Sequence, residues 1–399
     1  MVTIDYLYLI SNRKINKISL DYKRPLYYKI NWNNRLIGIR GPKGVGKSTL
    51  ILQHIRETFE DRSKVLYVSM DNIWFSSNSI IDLVEYHYTH GGTHIFLDEV
   101  HKYKGWQDCI KNIYDDYPDL HVVYTGSSIL KLKSGDGDLS RRLRSYEMTG
   151  LSFREYLLFE GALDYNVIDL QDILKQHITI ASDISDKIKV LPYFEKYLSN
   201  GYYPFYKEEG DGYLSRVQEV ITQTIDVDIP AVEDVEYGTL QKLKKLLMIL
   251  SVQVPFIPKM NQLYHELQTN REQGLKLLNI LEDAKLITML RSQVKSLKHI
   301  SAPDKLYLDN TNMMFALSDN VQIGTIRETF FMNQLSQAHE VTLPLKGDFK
   351  INQIHLFEVG GKKKTFEQIK DEANSYLAID SIEIGNGNRI PLWLFGFLG

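Results

Sequence analysis

Gly41-Pro42-Lys43-Gly44-Val45-Gly46-Lys47-Ser48-Thr49 follows the apolar run Leu36-Ile37-Gly38-Ile39 and leads into Leu50-Ile51-Leu52. A glycine-rich turn therefore stands between a strand pattern and a helix pattern. Residues 41–48 satisfy G-x-x-x-x-G-K-[ST] in full. Glycines at these positions let the backbone close around phosphate oxygens without Cβ clashes, while the turn amides and the helix N-terminus supply positive potential. Lys47 is placed to meet the β- and γ-phosphates, and the Ser48 hydroxyl to ligate Mg2+. Residues 41–49 read as a cradle for a nucleoside triphosphate.

Outward from this turn, short apolar runs alternate with longer amphipathic stretches. Strands are predicted at 36–39, 65–69, 94–97 and 121–124, with helices at 47–60, 78–88 and 106–117 between them. Strands buried on both faces of a parallel sheet read as continuous apolar runs, and these do. The third strand is His94-Ile95-Phe96-Leu97-Asp98-Glu99, with Asp98 51 residues after Lys47. Its two terminal carboxylates divide the work of phosphoryl transfer: Asp98 holds Mg2+ and Glu99 polarises the attacking water. The fourth ends in Thr125-Gly126-Ser127, where Ser127 is the candidate to sense the γ-phosphate. An ordinary turn after a strand has the same composition. The segment 131–144 then carries five basic and two acidic residues. One of its arginines can act as a finger on transition-state charge, in cis or from a neighbouring subunit, or the run is a solvated helix end. A guanine reader Asn-Lys-x-Asp is lacking, since the only Asn-Lys pair, Asn16-Lys17, precedes the turn and is followed by Ile-Ser. The reading is an ATPase.

Length and composition agree. At about 150 residues per domain, 399 residues make two or three units. The net charge of -3 excludes a globally basic nucleic-acid coat, and 43% apolar residues with 25 Tyr, 16 Phe and 4 Trp exclude a disordered chain. A single cysteine, Cys109, precludes an intramolecular disulfide or a cysteine-built zinc cluster and suits a reducing, cytoplasmic setting. No run reaches the roughly 18 apolar residues of a membrane span.

The motifs GPKGVGKST, IFLDEVHK, VVYTGSS and LSRRLRSYEMTGLSFREYL, followed by Gly201-Tyr202-Tyr203-Pro204, Asp228-Ile229-Pro230 and the run 303–309, resemble a prokaryotic family of AAA-type ATPases. In that family the C-terminal half is a domain of unknown function ending in a restriction-endonuclease-like module. The resemblance implies the nucleotide roles above for Lys47, Ser48, Asp98, Glu99 and Ser127, and makes Arg142 the better finger candidate. Ser127 departs from the asparagine common at the sensor position of AAA-type enzymes.

The expected architecture is an α/β P-loop core over 1–150, a helical lid over 151–235, a winged-helix-like segment over 236–300, and an α+β restriction-endonuclease-like module over 301–399. Ser152 to Glu155 reads as a capping box. Between 241 and 300, ten Lys/Arg face four Asp/Glu, a basic patch that fits DNA or a protein partner. Three leucine-marked helices there lead into a strand at 286–290, the winged-helix pattern. The last hundred residues predict strands at 305–308, 341–345, 351–359 and 390–397 and helices at 325–337 and 365–376. Glu328, Asp348 and Glu358 are spaced like the acidic set of a nuclease core, with Asp348 and Glu358 as a second Mg2+ pair. The lysine such a core carries two residues after its last acid is replaced by Gly360, so the module reads as degenerate unless Lys362, Lys363 or Lys364 reaches back. Three functions follow as expectations: an ATP-driven switch or motor acting on DNA and able to form homo-oligomers, a nucleotide-gated protein-interaction module, or an ATP-regulated Mg2+ nuclease.

Overall fold

The computed structural model describes residues 3–129, 141–253, 259–292 and 302–399. The chain forms two units. The first comprises residues 1–149 with 226–235, and the second 150–225 with 236–399.

In the first unit β1 (Leu36–Arg40), β2 (Val65–Ser69), β3 (His94–Asp98), β4 (His121–Gly126) and β5 (Arg144–Glu147) form one sheet in the order β2-β3-β4-β1-β5. Every pairing is parallel. The first four strands are buried along nearly their whole length, as their unbroken apolar runs require. The fifth was not predicted: Arg144-Ser145-Tyr146-Glu147 is an exposed, polar edge strand and carries no apolar run. Helices α2 (Lys47–Thr58), α3 (Ile80–Thr89) and α4 (Trp106–Asp116) make the crossovers. An unpredicted N-terminal helix, α1 (Ile4–Lys17), packs on α2 and β2, where Ser11 Oγ accepts the Tyr67 amide at 3.0 Å. Because all strands run the same way, their C-terminal ends gather the P-loop, Asp98-Glu99 and Thr125 along one edge. That edge is where ligands bind in open α/β sheets.

The second unit joins what the sequence reading separates. Helices α5 (Phe153–Phe159), α6 (Leu170–Lys187), α7 (Val190–Asn200) and α8 (Tyr213–Gln223) pack on C-terminal elements of the same unit. Phe153 meets Phe397 edge-on with ring centroids 5.9 Å apart, and His177 Nε2 lies 2.9 Å from the Gly387 carbonyl. The 151–235 span is therefore not a separate lid. Its apolar faces belong to the C-terminal core, and only 226–235 goes with the first unit. The Ser152–Glu155 capping box is formed.

Next come α9 (Tyr237–Gln253), α10 (Met260–Glu266) and α11 (Arg271–Asp283), with Asn270 capping α11 through the Gln273 amide at 2.9 Å. Strand β6 (Ile287–Leu290) pairs antiparallel with β7 (Lys305–Leu308). The three-helix-plus-hairpin pattern thus closes only beyond residue 300, across the expected boundary. Helices α12 (Thr311–Leu317) and α13 (Ile323–Leu335) precede a second sheet, β12-β11-β10-β9-β8, made of β8 (Val341–Thr342), β9 (Phe349–Ile351), β10 (His355–Gly360), β11 (Ser375–Ile379) and β12 (Arg389–Pro391). Strands β8, β9 and β10 pair antiparallel, and β10, β11 and β12 pair parallel.

Three local expectations fail here. The single strand over 351–359 is a hairpin, turned by Asn352 and Gln353 at φ 50° and 63°. The helix over 365–376 does not form; Leu377, Ala378 and Ile379 are buried in β11 between two parallel neighbours, and this pairing overrides the helical spacing before it. The strand over 390–397 is cut to three residues, after which Leu392–Phe397 coils as a 3-10 turn with all six residues buried.

Candidate nucleotide site

The P-loop leaves β1 at Arg40 and enters α2 at Lys47. Gly44 and Gly46 have φ of 84° and 98°, the left-handed region that side chains disfavour, so the glycines at these two positions are dictated by the turn. Gly41 is required for another reason: a Cβ there would lie 2.0 Å from the Met148 carbonyl oxygen. Arg24, buried, holds the loop from outside by donating to the Val45 carbonyl at 3.0 Å and the Thr149 carbonyl at 3.1 Å. Lys47 is buried and donates to the Gly41 and Pro42 carbonyls at 2.9 and 2.8 Å, so its ammonium spans the start of the loop. Ser48 is half-buried and Thr49 exposed, in the first turn of α2.

Asp98 is 3% exposed at the end of β3, and both its oxygens are held. Tyr67 donates its hydroxyl to Oδ2 at 2.6 Å, and Thr125 donates to Oδ1. Thr125 Oγ1 also accepts the Glu99 amide at 3.0 Å. One β4 hydroxyl thus ties the two acidic residues together. Burial pushes the Tyr67 phenol far up, with the Asp98 charge adding to it, so Tyr67 acts only as a neutral donor. Glu99 sits at φ 57°, a left-handed conformation uncommon for a non-glycine residue, which turns the chain sharply after the strand.

Around Glu99 stand groups that motif reading missed. His101 is buried in the turn after β3, and its Nε2 lies 3.5 Å from Glu99 Oε2 and 3.4 Å from Asp228 Oδ1. Asp228 comes from the 226–235 segment of the same unit and lies 3.7 Å from Lys43 of the P-loop. Burial works against the Asp228 charge, but His101, Lys43 and Lys102 outweigh it and hold the carboxyl below the usual range. Asp228 lay in one of the motifs shared with the AAA-type family, yet its distance along the chain hid its place. Ser127, the expected sensor, is buried just past β4, and its amide points to His101 Nδ1 at 3.4 Å. The β4 side chain that contacts the acidic pair is Thr125, whose only sequence signal was a hydroxyl inside an apolar strand.

Arg142 lies elsewhere. It precedes β5, whose first residue pairs beside Ile37 at the start of β1, and it bonds Asp115 near the end of α4 at 3.2 Å. This is the N-terminal edge of the sheet, opposite the P-loop, and in this structure Arg142 is engaged there rather than at its own chain's loop. Residues 131–140 of the basic run lie outside the described residues.

In the second unit the late sequence motifs meet as a buried polar network. Asn312 accepts the Tyr202 amide at 2.8 Å and the Tyr213 hydroxyl, and donates to the Leu198 carbonyl at 2.9 Å; Tyr202 donates to Asp309 at 3.3 Å. Every partner there is internal, which is a folding role. Two lysines of the basic patch are likewise engaged: Lys242 donates to the Gln268 carbonyl at 2.9 Å and Lys245 to the Glu266 carbonyl at 2.6 Å. Glu358 is fully buried on β10, and Lys364 Nζ lies 2.8 Å from its Oε1. A Cβ on Gly360 would stand 2.8–2.9 Å from the Lys364 side chain, so the Lys364 stem crosses the space left by the missing side chain. Asp348 accepts the Val359 amide at 2.9 Å, and Lys305 lies 3.4 Å from Glu328 and 3.8 Å from Asp348. Burial, with Asp348 adding to it, raises the Glu328 carboxyl.

A five-strand parallel sheet in this order, with a P-loop after β1 and paired acids after β3, defines a P-loop NTPase. Residues 33–157, about a third of the chain, match the family model described as an AAA domain, in keeping with the P-loop fold of the first unit. Residues 191–322 match a second model, described as a domain of unknown function (DUF8612). No curated protein matches the sequence. Among solved structures, the chain is similar to the Saccharomyces cerevisiae Hsp104–ADP complex at 14% identity and a TM-score of 0.31, over 68% of this chain and 41% of that one. It therefore spans less than half of the Hsp104 chain. It is also similar to Caenorhabditis elegans PCH-2 (17% identity, TM-score 0.25, 71% and 67% of the two chains). A third is AMPPCP-bound DnaA from Aquifex aeolicus (13% identity, TM-score 0.27, 71% and 92%). Among the described residues, no helix is long and apolar enough to cross a membrane.

Proposed function

We propose that the first unit binds and hydrolyses ATP with Mg2+, and that the nucleotide state drives a switch or motor of which the second unit is the working part. The observation that carries this is the tie between Asp98 and Glu99 through Thr125, on the sheet edge shared with the P-loop. A carboxylate fixed by two hydroxyl donors, with the Ser48 hydroxyl in the adjacent loop, is a hard oxygen set that suits Mg2+. Ser48 and Asp98 would hold the ion, which when bound would offset the negative charge of the phosphates. Residues 41–49 cradle the phosphates with loop amides, and Lys47 exchanges its carbonyl partners for phosphate oxygens. Glu99 accepts a proton from the attacking water as the water oxygen bonds the γ-phosphorus and the bond from that phosphorus to the β-phosphate oxygen breaks, so that ADP and inorganic phosphate leave. Arg142, engaged at the opposite edge, is read as a finger across a subunit boundary, which requires a homo-oligomer.

Binding is tested with a fluorescent ATP analogue on the full chain. Lys47→Ala abolishes binding if the loop is the site, and parental affinity in that variant rejects it. Oligomer mass measured with ATP, together with recovery of ATP turnover when Arg142→Ala subunits are mixed with Glu99→Gln subunits, tests the trans finger.

For the working part, the carbonyl bonds of Lys242 and Lys245 favour a protein-contact role for residues 241–300 over DNA binding. Salt-dependent DNA binding that is lost in a Lys242→Gln, Lys244→Gln, Lys245→Gln variant, with its melting temperature unchanged, would reverse that preference. Nuclease action at Asp348 and Glu358, with Lys364 in place of the missing lysine, predicts Mg2+-dependent cleavage abolished by Glu358→Ala while ATP turnover persists.

A further inference from the structure

We propose that His101 is the positioning residue of Glu99, and that Asp228 competes with Glu99 for its single Nε2 proton, so that the 226–235 segment sets the rate of hydrolysis. This rests on the reading of Glu99 as the group that activates water.

The Ser127 amide can only donate, and it points to His101 Nδ1 at 3.4 Å, so Nδ1 is the acceptor and the neutral ring carries its proton on Nε2. That proton faces two carboxylates. Glu99 Oε2 is 3.5 Å away and Asp228 Oδ1 3.4 Å, and as the ring stands neither His101 Nε2 nor Asp228 Oδ1 has a hydrogen-bond partner. The His101 and Asp228 side chains are 0% and 2% exposed, so water does not relieve either atom. One buried donor held midway between a buried acceptor on Asp228 and a half-buried one on Glu99, whose side chain is 17% exposed, is a bistable arrangement. A shift of roughly 0.5 Å toward either side completes one full bond at the expense of the other.

The two settings differ in consequence. With the proton given to Glu99, the carboxylate on a left-handed residue is fixed in one orientation. With the proton given to Asp228, Glu99 loses that support, while Asp228 stays beside Lys43 of the P-loop, 3.7 Å away. The same ring senses the end of β4 through Ser127, the position expected to follow the γ-phosphate. Asp228 ends a five-residue π-helical turn, Thr224–Asp228, at the point where the chain enters the first unit. Single π turns inside helices are frequent at functional sites. The three groups also lie close enough to hold a cation, but the Lys43 ammonium already supplies positive charge to Asp228 and disfavours a metal there.

The test uses the full chain, steady-state ATP turnover with saturating Mg2+ and ATP, and affinity for a fluorescent ATP analogue. A hydrogen bond to a charged group is worth about 1.5–3 kcal/mol, so His101→Ala lowers kcat about 10- to 150-fold with affinity changed less than about 3-fold. His101→Gln, whose amide can accept from Ser127 and donate to Glu99, returns kcat to within about 5-fold of the parent. Asp228→Asn weakens the competing acceptor and raises kcat, and this rise vanishes in the His101→Ala background. A His101→Gln as slow as His101→Ala, or an Asp228→Asn effect that is the same in both backgrounds, overturns the proposal. Parental turnover in Glu99→Gln would instead remove the role of Glu99 itself, a failure distinct from either of these.

Discussion

Tyr67→Phe isolates one of the two hydroxyls that hold Asp98. The substitution keeps the buried ring and its position over Lys14, whose Nζ lies 5.0 Å from the ring centroid, and removes only the 2.6 Å donor to Oδ2. A bond from a neutral hydroxyl to a buried carboxylate contributes about 1.5–3 kcal/mol, and the remaining oxygen has no water to turn to. The folded-to-unfolded ratio of the first unit should fall about 10- to 150-fold, at 1.36 kcal/mol per decade. Native-state hydrogen exchange of the β2 and β3 amides reads that unit separately from the second, whose unfolding would blur a single global transition. In an Asp98→Asn background the same change should cost only about 0.5–1.5 kcal/mol, because the acceptor is then neutral. A Tyr67→Phe protein within about 0.5 kcal/mol of the parent, or an equal cost in both backgrounds, would refute the reasoning that Tyr67 orients a charged Asp98.

Acid should weaken the first unit through His54. Burial first, and His94 second, lower its ring from 6.5 to about 4, so the fold accepts the neutral form. Stability is then fully present above pH 6.5 and declines as pH falls toward 4, by an amount on the order of 3 kcal/mol. His54→Phe, which keeps the stack on Trp32 at 3.8 Å, should flatten that slope in urea titrations; an unchanged slope would assign it elsewhere. In the second unit, Lys364→Met leaves the buried Glu358 charge unpaired. This should cost about 3 kcal/mol, the low end for a broken buried pair because Lys364 is itself 31% exposed. Calorimetry should show most of the loss restored by adding Glu358→Gln, and no restoration would mean that the pair is not the cause.

The first unit was legible because its chemistry is local. The P-loop glycines, the apolar strands and the Asp98-Glu99 pair each occupy one short stretch, and burial on both sheet faces gives four strands a pattern that nothing else produces. The edge strand β5 was not legible, since Arg144 and Glu147 face solvent and no periodicity marks them. His101 and Asp228 are 127 positions apart and meet only through the fold. Thr125 and Tyr67 are single hydroxyls within apolar strands, invisible until the register sets them beside Asp98. In the second unit, Phe153 and Tyr197 bury against residues beyond 300, so helices that read as a lid are core. Ser375–Ile379 became a strand because two neighbours offered parallel pairing, which no local spacing encodes.

The central claim is that Glu99 activates water at an ATP site built by the P-loop. Its most direct measurement is a single-turnover assay with radiolabelled ATP on Glu99→Gln, alongside ATP affinity in the same preparation. Affinity should stay within a few-fold of the parent while cleavage slows by about 10²-fold or more, leaving ATP trapped on the protein. Cleavage at the parental rate with ATP bound normally would contradict the account.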